Sequence, residues 1–168
     1  QPLHGQWNFD HDNRKKLPKN HKPIAPLVFD NDVVSIHNEI SKTNIKSIGN
    51  IDAQHFVWPI NRTQSLALLD FFLAECLPFF GSYQDAMMPN EWSLYHARIS
   101  FPMNVKMISP QEVIDKAVQE WEKRPNEPQE VIDKAVQEWE KRPNEIEFHQ
   151  IEGFVRQIIG WREYMRGI

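Results

Sequence analysis

The residues best suited to chemistry lie together near one end of the chain. Residues 152–168 read EGFVRQIIGWREYMRGI. At helical spacing Phe154, Ile158, Trp161 and Met165 fall on one stripe, the repeat of a buried face. Beside it run Arg156, Arg162 and Arg166 with Gln157, planar donors that match phosphate, carboxylate or base edges. Lys and Glu would be commoner on a face that only met solvent, although a solvated arginine face gives the same pattern. No acid–base dyad, nucleophilic triad, zinc spacing or Walker loop competes with this segment. Cys76 is the one cysteine, which excludes an internal disulfide and any metal site built from several thiolates of this chain.

The elements that must position these groups are helical. After Trp58-Pro59, Thr63 is placed to cap a helix running to about residue 76, with Leu66, Leu69, Phe72, Leu73 and Cys76 inward. Pro78 limits that helix and Gly81 follows its end. Residues 33–42 predict a short helix, and residues 82–104 one or two more, divided by Pro89 and Pro102. Residues 1–32 are rich in Pro, Asn, Asp and Lys and carry little periodicity, so they read as an extended or irregular connection. No pair of strand patterns stands out. The expected fold is all-α, with an extended connector that has room for one short helix over 1–58 and the first part of a helical domain over 59–168.

Residues 110–127, PQEVIDKAVQEWEKRPNE, recur unchanged at 128–145. Such identity implies a recent duplication or an artefact of assembly, since solenoid arrays need several diverged units. Each copy reads as one helix: Pro at the start, Val113, Ile114, Ala117, Val118 and Trp121 as its apolar face, and Arg-Pro-Asn as its stop. Glu112–Lys116 and Glu120–Arg124 are spaced as supporting pairs. Pro125 and Pro128 forbid one continuous helix across the junction. A copy holds five acids and three bases, a net of −2, so two copies account for the chain's whole formal charge of −4. The remainder is neutral, with a basic cluster at Arg14, Lys15, Lys16, Lys19 and Lys22, and the acidity does not argue against an anionic partner.

With 168 residues, 40% hydrophobic and 25% charged, the chain is long enough for one domain with a core. No run of about 18 apolar residues is seen, so no membrane span is expected. The first residues lack the apolar stretch of a signal peptide, and a cytoplasmic location is expected. The chain has no initiating Met and stops after an apolar helix, so it is expected to be a piece of something longer.

Three blocks carry a family likeness: FGSYQDAM (80–87), LYHARISFPMNVKMISPQEV (94–113) and IEGFVRQIIGWREYMRGI (151–168). Together they resemble the deoxyribodipyrimidine photolyase-related branch of the photolyase/cryptochrome family, a bacterial group whose best-known members repair (6-4) photoproducts. GQWNFDHDNRKKLP (5–18) resembles the connector from that family's α/β antenna domain into its helical domain. The likeness implies a partial helical domain that holds FAD. It also implies UV-damaged DNA as the partner of the parent protein. The antenna chromophore and the iron–sulfur cluster of many members would belong to parts outside this chain.

The likeness also implies roles for residues. ARISFPMNVKMISP is similar to the family's phosphate-cradling turn, where free N–H groups at a helix start face the flavin pyrophosphate. On that pattern Ser100, with the backbone of Arg98 and Ile99, approaches phosphate, and Asn104 faces the flavin. Lys106 departs from the family, which usually has Gly there. Tyr83 sits where the wider family sets a tyrosine against the cofactor. His96 would bond to cofactor or backbone, or serve as a partly buried structural histidine. GWREYMRG resembles the helix that lines the substrate cavity. There Trp161 would stack near a flipped-out lesion or the flavin, Gln157 would face either, and Arg162 would fix phosphate or a carboxylate. His149 is a candidate proton donor beside the lesion.

Two other functions fit the same letters: a cryptochrome-like photoreceptor with the same pocket, and a helical piece that binds nothing alone. The identity and self-sufficient apolar face of the second copy generate a prediction. Deleting residues 128–145 should leave helix content and the cooperativity of melting intact or improved, measured by circular dichroism. A large loss of stability would contradict it.

Overall fold

The computed structural model describes residues 14–123 and 148–166, with the side chains of 148, 149 and 161–166 outside that description. The described residues are helical, and their β-structure is limited to two isolated bridges, Asn31 with Phe56 and Met88 with Glu91. Helix α1 spans Val34–Ser41 and α2 spans Arg62–Phe71. A π-helical turn, Phe72–Cys76, leads directly into α3, Leu77–Tyr83. Helix α4 is the short Ser100–Asn104, α5 is Pro110–Lys123, and α6 is Phe148–Arg166.

Asn61, not Thr63, caps α2: its side chain accepts the Gln64 N–H at 2.9 Å, while Thr63 is exposed. The helix does not stop at Pro78 either. Proline cannot donate a backbone hydrogen bond, and the π turn just before it, closed by Leu77 N–H to Phe72 O, absorbs the mismatch. Arg62–Tyr83 therefore forms one 22-residue run. By length and composition alone it is long and apolar enough to cross a membrane, which the sequence reading did not anticipate. Most of its apolar stretch is buried inside the fold, as befits a central core helix.

The core gathers around this helix. Leu68, Leu69, Phe72, Leu77 and Phe80 are almost fully buried, with Val113 and Ala117 from α5 and Ile151 and Phe154 from α6. Phe154 lies between Phe72 and Phe80, with ring centroids at 4.7 and 5.8 Å. The buried Gln150 accepts the Ser82 N–H at 3.3 Å and ties α6 to α3 a second time. Helix α5 buries the face its spacing implied, yet its charges choose distant partners. Glu112 takes Arg62 at 2.6 Å and Lys116 takes Asp70 at 2.5 Å, both across to α2, in place of each other. Glu120 pairs with Lys123 at 3.2 Å. The second repeat copy and Arg124 lie outside the described residues.

The connector is irregular but packed. Leu17, Ile24, Leu27 and Phe29 rest against the core. Asn31 fixes its far end: its amide donates to Trp58 O at 2.9 Å and accepts from Gln64 Nε2 at 2.7 Å. Of the one or two helices expected over 82–104 the structure has the short α4; residues 84–99 form a loop, and Pro102 falls inside α4 rather than dividing helices. In that first turn its missing N–H would have had no partner in the helix. All four described non-glycine residues with positive φ lie in this region: Asn90, Leu94, Arg98 and Lys106. Lys106, at φ 66°, holds the left-handed conformation that glycine adopts freely.

Two predictions come from these contacts. Burial pushes the Cys76 thiol up to about 12, so about one molecule in ten thousand is thiolate at pH 8. A thiol-specific disulfide reagent should leave the native chain untouched there and react fully in denaturant; native reaction at the rate of free cysteine would contradict this. Lys106→Gly should be neutral or stabilise the fold by up to about 1 kcal/mol, because relief of left-handed strain offsets the usual glycine penalty. Denaturant titration showing a loss of about 1 kcal/mol or more would count against it.

Candidate functional site

The loop before α4 and the inner face of α6 enclose a hollow of about 730 Å³. His96, Arg98, Ile99, Ser100 and Asn104 line one side, and Gln157 and Gly160 line the other. Phe80, Met103, Phe154 and Ile158 complete an apolar lining. This combination, apolar walls with a few converging polar groups, is the ordinary build of a small-molecule site.

Arg98 is the main polar feature of the wall. Its backbone is left-handed at φ 56°. One guanidinium nitrogen, Nη2, donates to the Leu27 carbonyl at 2.9 Å, and the guanidinium carbon stands 5.0 Å from the Trp92 ring centre. Its Nε is buried and has no hydrogen-bond partner. A charged donor left so in a wall is costly unless a ligand meets it. Burial also lowers the Arg98 pKa, with the neighbouring Cys76 opposing.

Helix α4 spans only Ser100–Asn104, so its macrodipole is small. Its first turn nevertheless presents the N–H groups of Ser100 and Phe101, which the helix itself does not engage. The attraction for an anion comes chiefly from Arg98. His96, beside the Phe80 ring at 6.1 Å, has a pKa lowered by burial against an opposing pull from Asp85. It is therefore neutral at pH 7, able to donate from one ring nitrogen and accept at the other.

Tyr83 stands apart from this group. It is buried in an aromatic cluster with Tyr95, at 5.9 Å between centroids, and His21, at 6.2 Å, and is not among the residues lining the hollow. Burial raises its phenol pKa. Gln157 reaches Gln84 at 3.5 Å on the α3 side. Arg156 turns away from the hollow. It pairs with Glu152 at 3.1 Å and lines a second, apolar hollow of about 530 Å³ with Trp121 and Val155. The side chains of Trp161, Arg162 and His149 lie outside the described residues. The backbone of His149 belongs to the first turn of α6, because that helix starts at Phe148, earlier than the apolar stripe indicated. Sequence reasoning passed over the Arg98 side chain and Trp92. Their signal was weak, since they meet across a loop and share no helical face.

Residues 1–56 match the model of the family described as deoxyribodipyrimidine photo-lyase-related protein. The whole chain aligns with a (6-4) photolyase of Agrobacterium fabrum, 31% identical over 173 positions that cover 29% of that protein. Half of the chain aligns with the uncharacterized protein R853 of Acanthamoeba polyphaga mimivirus, 29% identical over 84 residues, half of that protein's length. The chain thus spans well under two thirds of either relative. With one match at its beginning and another running its full length, the chain is similar to photolyase-related proteins.

Proposed function

We propose that this chain forms one wall of a flavin site in a light-driven DNA lyase of the photolyase type, acting on pyrimidine (6-4) photoproducts or dimers. The observation that carries this reading is the shared hollow. It brings the turn at Arg98, Ile99 and Ser100 and the α6 residues Gln157 and Gly160 to one space. The donor set fits FAD. The Arg98 guanidinium in the wall suits a pyrophosphate, and the Phe80, Met103 and Phe154 surfaces suit the planar rings. The likeness to a (6-4) photolyase supports the substrate class.

When bound and reduced, the flavin would supply the photoexcited electron that splits the lesion and then returns. The protein's share is placement. Arg98 and Ser100 would hold phosphate, and Asn104 and Gln157 would offer hydrogen bonds to the ring edges. Neutral His96 would donate or accept a hydrogen bond at the rim. The apolar lining excludes water, which strengthens each of these polar contacts. Trp161, Arg162 and His149 keep the roles their motif implies, toward the lesion and its backbone. Tyr83 would act from behind the wall through its packing on Tyr95.

The test uses the full-length protein that carries this segment. It should retain flavin on purification and, under blue or near-ultraviolet light, remove (6-4) photoproducts from an oligonucleotide. Arg98→Leu should lower flavin retention by about tenfold or more, the loss of one charge-assisted contact. Absence of flavin from a folded wild-type protein would overturn the reading. Flavin without light-dependent lesion loss would favour a photoreceptor.

A further inference from the structure

We infer that the connector, residues 14–31, is coupled to the hollow through Arg98, so that ligand binding and connector docking strengthen each other. The inference rests on the flavin reading for its ligand, but the tie itself is visible without one. Arg98 is shared between the two regions. Its Nη2 donates to the carbonyl of Leu27 in the connector, while its Nε is buried in the wall of the hollow without a partner. Arg98 therefore touches both regions, and fixing its rigid guanidinium from one side fixes it for the other. Trp92 limits the remaining freedom. It is 56% exposed, yet its ring lies against the Arg98 guanidinium and packs edge-on to Trp58 at 5.8 Å.

The connector has few other polar attachments to the helical core. Lys15 N–H donates to Ser82 O at 3.0 Å and Arg14 reaches Asp85 at 3.8 Å. His21 meets Tyr95 through a side-chain hydrogen bond. Farther on, Phe29 N–H donates to Val57 O at 3.0 Å and Asn31 N–H to Phe56 O at 3.1 Å. Leu27 sits between these two groups of contacts, so among the described residues the Arg98 bond is the polar contact that spans this interval. An anion held against Arg98 in the hollow would keep the guanidinium in its present rotamer, and with it the Leu27 carbonyl. A connector so held would in turn pre-set Arg98 for the anion, which is the reciprocity any binding linkage requires.

Hydrogen exchange read by mass spectrometry on the full-length protein that carries this segment tests this, with FAD as the probe. Without ligand, Arg98→Met should speed exchange at residues 24–31 by about threefold or more, leaving α5 unchanged. Trp92→Leu, at an exposed position with little risk to folding, should do the same to a smaller extent. In the wild type, added FAD should slow exchange both at residues 96–104 and at residues 24–31. Protection at 96–104 alone, or variants whose connector exchanges like the wild type, would overturn the coupling. Loosening by the variants with no protection by FAD in either segment would support the tie and overturn the flavin reading instead.

Discussion

The packing of Phe154 between Phe72 and Phe80 is the contact on which the rest of this molecule depends. The three rings join α6 to the central helix at the start of the π turn and beyond it, at 4.7 and 5.8 Å between centroids. Large aromatic contacts of this kind dominate core energetics, and truncating one costs about 3–5 kcal/mol. Their consequence here is geometric. Helix α6 carries one side of the hollow, and the loop into α4 carries the other. The aromatic wedge, with the Gln150–Ser82 bond beside it, sets the separation of the two sides.

The π turn is part of the same arrangement. It lets a proline-containing helix continue past residue 78 and so delivers Phe80 to the wedge and Ser82 to Gln150. An uninterrupted α-helix would need a backbone donor that Pro78 lacks. The face presented beyond the turn is consequently offset from the one that the 3.6-residue repeat of α2 projects.

Strain is concentrated opposite that wedge. Four residues with side chains adopt positive φ between Asn90 and Lys106, and one of them is Arg98. Each such conformation costs on the order of 1 kcal/mol or more and persists only where surrounding contacts enforce it. Those contacts are visible at Arg98, in the Leu27 carbonyl and the Trp92 ring. A wall both strained and left with a buried unpaired donor is less stable than it could be, the usual condition of a surface shaped for a ligand.

The amino-acid sequence by itself determined the all-helical class, the apolar face of α5 and the Phe154–Ile158 part of that of α6, the irregular connector and the family likeness. These follow from spacing, caps and breakers, which act within a few residues of one another. It also marked Ser100, Asn104 and Gln157 as members of meaningful motifs. Tertiary structure alone decided that they share a hollow, that Tyr83 stands outside it, and that Arg156 faces the other way. It gave Glu112 to Arg62 and Arg98 to Leu27, partners 50 and 71 positions away. Such choices depend on which surfaces meet after the chain has folded, and no local pattern of residues encodes them.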